Sequence, residues 1–230
     1  MIDTVAFGIL PYVVVAVELV GSLWRFYANR FKFSSLSSEF LESRQLFWGS
    51  VPWHYGILTV LLGHVIGFMF PREVLLWNSV PVRLLILEVT ALTFGVQALI
   101  GLCMLIYRRA TNARIRAVTS PMDIVVLLLL LNQVVTGVGI AITYRWGSSW
   151  YAAALVPYLR SVFMFQPNLE YMAPMPWMVK LHVINAFLIV GILPFTRLVH
   201  FLLLPISYLW RPYQLVIWNR DWKKWRKPAR

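Results

Sequence analysis

Four histidines, His54, His64, His182 and His200, are the only ones in the 230 residues, and they fall two by two in a pair of strongly apolar stretches. Imidazole is a common ligand for transition metals, and an ionisable side chain at membrane depth is costly enough to mark a functional site by default. His54 and His64 are ten residues apart, about 15 Å of helix rise, so they mark two depths in one span. His182 and His200 are eighteen apart, five full turns, which places them on one face about 27 Å apart along the axis. In antiparallel helices the matching levels are His54 with His200 and His64 with His182. Each pair can clamp one six-coordinate haem iron between two imidazoles, an arrangement suited to passing electrons rather than binding a gas. Two b-type haems stacked across a bilayer are therefore expected, with the four histidines as axial ligands. The unequal separations require helix tilt, imidazole reach and a bend at Pro194. A zinc site needs its ligands at one level, which His54 and His64 do not share.

The elements that must position these residues follow from composition. With 60% hydrophobic residues, 13% charged residues and a mean hydropathy of +0.69, the chain is built for lipid rather than water. A helix of about 20 apolar residues crosses a hydrocarbon core while pairing its own backbone groups. Five stretches qualify, approximately 4–24, 51–70, 84–107, 122–144 and 177–204. Runs such as 124–131 are apolar at every position, unlike the alternation of a membrane β-barrel. The expected fold is an all-α integral membrane protein, one five-helix transmembrane bundle over 1–230 with a basic tail from 205 to 230. Met1, Ile2 and Asp3 give no basic leader, so the first span reads as part of the mature protein. The single Cys103 leaves no disulfide framework, no cysteine-rich zinc site, no self-contained iron–sulfur cluster and no covalent haem attachment.

The basic residues give the orientation. Arg25, Arg30, Lys32, Arg44, Arg108, Arg109, Arg114 and Arg116 all fall on the side of the C-terminal tail. That tail adds Arg211, Arg220, Lys223, Lys224, Arg226, Lys227 and Arg230. The other side has only Arg72, Arg83, Arg145, Arg160 and Lys180. The positive-inside rule then predicts an outside N-terminus and a cytoplasmic C-terminus in a multi-pass protein of the cytoplasmic membrane. The same distribution accounts for the net charge of +12 through topology and anionic lipid, without a nucleic-acid partner. The connection from Arg145 to Pro176 is too apolar over 150–165 for a solvated linker and is expected to lie half-buried on the outer surface.

Further residues suit supporting roles. Arg116 and Arg197 are candidates to pair with haem propionates, Arg197 lying three residues before His200 on nearly the same face. Glu88, in the outer half of the third span, needs a partner or a water path at that depth, and Arg83 or Lys180 is the candidate cationic partner. Gly56, Gly63 and Gly67 leave room beside the second-span histidines either for a flat macrocycle or for a neighbouring helix. Asn132 and Gln133 suit hydrogen bonding across helices or to a haem edge.

The motifs together resemble those of the gamma subunit of respiratory nitrate reductase, a dihaem cytochrome b that anchors its complex. The likeness rests on His54-Tyr-Gly-Ile-Leu through Gly63-His64 and Gly67, on Arg114-x-Arg116-Ala, and on Leu181-His182. It continues in Pro194-Phe-Thr-Arg197-Leu-x-His200 and in Tyr213-Gln214-Leu215-Val216. The resemblance implies that His54 and His200 bind the haem proximal to cytoplasmic catalytic subunits, and His64 and His182 the distal haem. It implies quinol oxidation from the quinone pool near the distal haem on the outer side, where Glu88, with Arg83 or Lys180, is a candidate to accept a quinol proton. Electrons would pass inward to an iron–sulfur beta subunit and a molybdenum-containing alpha subunit, which reduces the nitrate. Some members have a lysine just inside the third span at the quinol site; this chain has Arg83, Leu84 and Leu85 there.

Two other readings compete. A dihaem anchor of another quinol-linked reductase or hydrogenase differs only in its partners. A histidine-based proton or metal transporter needs water at all four histidines, and no pair of broken-helix repeats is seen.

Overall fold

The structure, a computed structural model, describes residues 1–28 and 41–198. Its elements in chain order begin with a π-helical turn, Thr4–Ile9, that runs into α1, Leu10–Ala28. There follow α2, Arg44–Met69, α3, Pro71–Asn78, α4, Pro81–Thr111, α5, Ala113–Ala117, and α6, Pro121–Thr143. A short helix α7, Gly147–Trp150, a π turn, Tyr151–Leu155, and α8, Val156–Phe163, make up one segment. The last described helix is α9, Trp177–Ile192, followed by a 3-10 turn, Leu193–Phe195.

Five of these helices are long and apolar enough to span a membrane, and no strand occurs among the described residues, as the expected fold class requires. Their outer faces carry exposed side chains such as Val13, Val15, Leu58, Leu62, Val89 and Ile142, the surface that lipid covers. Local sequence sets the boundaries. Pro71, Pro81 and Pro121 open their helices, where a missing N–H does no harm. Ser120 and Asp123 form a reciprocal capping box at the start of α6.

The spans form an open arc in the order α2, α4, α6, α9, α1. Contact between α2 and α4 is the closest. A Cβ on Gly56 would stand 2.6 Å from Ala98 N, and one on Gly101 would meet Trp53 N and stand 2.8 Å from Gly49 O. Backbone against backbone is a packing mode of small residues in membranes, where dispersion rather than water drives association. On the other arm, Gly21 of α1 receives the Phe195 ring and Gly191 of α9 receives Val14. Neither α1 nor α9 is among the extensive neighbours of α2. A crevice therefore separates α2 from α9, the helices that carry the described histidines.

The segment 147–163 closes that crevice at the face holding the N-terminus. It straps the first span to α2 by hydrogen bonds. Tyr158 Oη donates to Phe7 O at 2.9 Å, and Tyr12 Oη donates to Val162 O at 3.1 Å. Tyr151 Oη donates to His64 O at 3.0 Å, and Arg160 Nη2 donates to Phe68 O at 2.9 Å. Ala152, Leu155, Val156 and Tyr158 of the strap are buried, which makes it the half-buried connection expected from its composition. Trp146 and Phe165 flank it with φ of 65° and 57°, left-handed turns that let it lie across the bundle end.

At the opposite face, Glu42 pairs with the buried Arg108 at 2.7 Å. Burial pushes the Glu42 carboxyl up, but the Gln45 and Leu46 amides together with Arg108 outweigh it and hold the group below the usual carboxylate range. In α9, α-helical geometry stops at Ile192 and Thr196 is extended. The bend expected at Pro194 in a span reaching 204 is thus a break in the helix. A rise reckoned along one continuous helix past this point no longer applies. His200 and the tail 205–230 lie outside the described residues.

Candidate functional site

Helix register fixes how the two histidines of α2 are held. Nδ1 of His54 lies 2.7 Å from Ser50 O and 3.0 Å from Ser50 Oγ. Nδ1 of His64 lies 2.8 Å from Val60 O. A carbonyl oxygen only accepts, so in each ring Nδ1 carries the hydrogen, and in the neutral imidazole Nε2 carries the lone pair. Metal-ligating imidazoles regularly show this pattern, with the outer N–H given to a carbonyl.

His182 is held by the neighbouring helix α6 instead. Asn185 Nδ2 donates to Leu129 O at 2.9 Å and to Gln133 Oε1 at 2.7 Å, which turns the Gln133 amide nitrogen toward His182. That nitrogen lies 3.0 Å from His182 Nε2, which must accept. Thr136 gives its only hydrogen to Asn132 O at 2.6 Å, so it accepts from His182 Nδ1 at 3.0 Å. All three described histidines thus share one tautomer, with Nε2 unprotonated.

Depth matches for one pair. His64 stands five residues before the end of α2 and His182 five after the start of α9, about 7.5 Å of helix rise from the same face. The three glycines of α2 separate by use. Gly56 admits α4, Gly67 admits the Tyr151 ring at 2.8 Å, and beside His64 a Cβ on Gly63 would meet nothing within 4 Å. Tyr151 also stands edge-on to the His64 ring at 5.3 Å, and burial pushes its phenol up to about 12, so it remains a donor at neutral pH.

The donor set fits a haem held between His64 and His182. Both nitrogens are unprotonated, both hydrogens are given elsewhere, and open space adjoins the ring on α2. Gln133 uses the His182 lone pair that iron would need, so ligation there requires its amide to give way. Only His54 of the other pair is described.

The remaining candidates disperse. Glu88 Oε1 accepts from the Ser148 amide at 2.8 Å and the Ser148 hydroxyl at 2.6 Å. Neither expected cation is its partner. Lys180 pairs with Asp3 at 2.7 Å, a carboxylate the π turn at the N-terminus brings to it, and Arg83 lies over the Trp77 ring at 5.3 Å. Arg197 Nε is 3.0 Å from the buried Asp123, which Arg109 also approaches at 3.3 Å. Arg116 is exposed on α5. Sequence reading missed Tyr151, Thr136, Asn185 and Asp123. The one available signal was the polar pair Gln133 and Thr136, three apart and so on one face of an apolar span.

Comparison with known proteins supplies the family. The family model described as nitrate reductase gamma subunit matches residues 3–219. The chain is 34% identical to the nitrate reductase gamma chain of Bacillus subtilis over 218 residues, covering 93% of this chain and 97% of that one. It is 30% identical to the respiratory nitrate reductase 2 gamma chain of Escherichia coli over 213 residues, 91% of this chain and 94% of that one. It also matches the nitrate reductase-like protein NarX of Mycobacterium tuberculosis at 34% identity over 224 residues, 93% of this chain and 33% of that longer protein. A match over nearly the whole length, carried by a bundle of five membrane-crossing helices, makes this chain a member of the nitrate reductase gamma subunit family.

Proposed function

We propose that this membrane subunit of nitrate reductase binds two b-type haems, one between His64 and His182 and one between His54 and His200. The observation that carries the reading is the pair of Nε2-unprotonated imidazoles at one depth on either side of the crevice. A bis-imidazole haem supplies a one-electron carrier whose ligands stay in place when its oxidation state changes. The chain's own part is to hold the rings: Ser50, Val60 and Thr136 take the Nδ1 hydrogens, so that Nε2 is the nitrogen that would bind iron, at His182 once the Gln133 amide gives way. The N-terminal face, with the strap, is the outer one, since it bears few of the basic residues.

Quinol from the membrane pool is oxidised at that outer face, releasing two protons outside. Its two electrons cross inward, one at a time, to an iron–sulfur beta subunit and a molybdenum-containing alpha subunit at the cytoplasmic face, where nitrate is reduced. Separating the protons from the electrons builds membrane potential. Arg197 and Arg116, at the cytoplasmic face, supply positive charge for propionates of the proximal haem.

The reading is tested by the visible spectrum of the purified complex reduced with dithionite. Split b-type bands amounting to two haems per subunit are expected; a colourless subunit overturns it.

Glu88 is the candidate proton acceptor for quinol. Gln at this position keeps the oxygen that accepts from Ser148, so the strap stays anchored. General base assistance is worth about 100-fold or more. Glu88→Gln is therefore expected to slow quinol-dependent nitrate reduction by about that factor with haem content unchanged. Turnover equal to that of the parent protein removes Glu88 from the step.

A further inference from the structure

The three described histidines are anchored in two different ways. His54 and His64 give Nδ1–H to main-chain carbonyls four residues back on their own helix, anchors that no side-chain substitution removes. His182 gives Nδ1–H to the hydroxyl of Thr136, on α6. That hydroxyl is fixed in turn, because its own hydrogen goes to Asn132 O at 2.6 Å, leaving a lone pair directed at the imidazole. Thr136 is buried at 6% exposure, so water does not replace it.

We propose that Thr136 is a positioning residue that sets the reduction potential of the haem ligated by His182, and of that haem alone. The proposal rests on the haem reading above. A hydrogen bond accepted from Nδ1–H lends the ring anionic character and makes Nε2 a stronger donor to iron. A stronger donor favours the ferric over the ferrous state, and bonding of this outer kind is one of the few ways a protein tunes a haem. The Gln133 amide lies on Nε2 and gives way to ligation there, whereas the Thr136 bond, at Nδ1, is left in place. Among the three described histidines, His182 is the one whose outer nitrogen is held by a side chain of another helix.

The test is a potentiometric titration of the b bands in membranes holding the whole complex, for the parent, Thr136→Val and Thr136→Ser. Valine keeps the shape and removes the acceptor; serine restores it. The expected result for valine is full haem content with one midpoint raised and the other unmoved. Loss of an outer partner changes metal affinity about tenfold or more. A tenfold change in the ratio of ferric to ferrous affinity is about 59 mV for one electron. Serine is expected to keep the parent midpoint. If the valine protein does not load the haem, Thr136→Cys, a weak acceptor of similar size, is titrated in its place with the same upward shift expected. Full haem content with neither midpoint moved, or with both moved together, overturns the proposal. Absence of haem from the parent complex overturns the haem reading instead, so the two failures are told apart.

Discussion

Replacing His64 with alanine is expected to leave a subunit that folds, keeps one haem of two and no longer oxidises quinol. His64 is exposed, and its ring hydrogen bond goes to its own helix, so its removal leaves no neighbouring helix without a partner. Tyr151 binds the His64 carbonyl rather than its side chain and keeps the strap in place. Loss of an outer-shell partner alone lowers metal affinity by about 10- to 100-fold, so loss of the ligand itself should exceed about 100-fold. His182→Ala should remove the same haem, and the double variant should look like either single one. The measurement is haem per subunit from the reduced spectrum, together with quinol-dependent turnover. Retention of both haems in the double variant would sink the ligand assignment.

A larger effect, on the whole molecule, is expected at Gly101. Its hydrogen faces the backbone of α2 at Trp53 and Gly49, groups that cannot turn aside as a side chain can. Overpacking typically costs about 1–3 kcal/mol, and a leucine against main chain belongs at or above the upper end. Because α2 carries both His54 and His64, separation of α2 from α4 by Gly101→Leu should abolish both haems and the assembled subunit together. Gly63→Ala is the control, since its Cβ meets no protein atom within 4 Å, and it should leave thermal stability of the bundle unchanged. Comparing assembled subunit and melting temperature of the two variants checks the contrast, and an unaffected Gly101→Leu would show that the crossing is looser than described.

Much of this was legible in the residues. Uninterrupted apolar runs gave the five spans, because lipid imposes length and internal backbone pairing whatever the tertiary contacts. Histidine spacing gave the depth of His64 and, by antiparallel order, its level with His182. What was not legible depends on rotation of each helix about its axis. These spans are apolar all round, so pattern does not say which face meets which neighbour. Hence Glu88 was assigned a cation and proves to accept from Ser148, while Lys180 goes to Asp3. Gln133 was read as a link between helices, and it is one, but its second partner is the histidine itself. Gly56, Gly63 and Gly67 looked alike in sequence and differ only in what stands opposite. The break after Ile192 was signalled by Pro194 as a bend, its form being decided by the packing of Phe195 against Gly21.

The strap has a consequence for biogenesis. The groups that tie α2 and α1 together through it lie 87 and 151 positions away along the chain. A nascent chain with its first three spans inserted therefore lacks the clasp between them, and His64 still lacks its opposing wall. Both arrive only with the last third of translation. On the proposed haem reading, cofactor capture between His64 and His182 belongs to the end of synthesis, after the earlier spans have inserted.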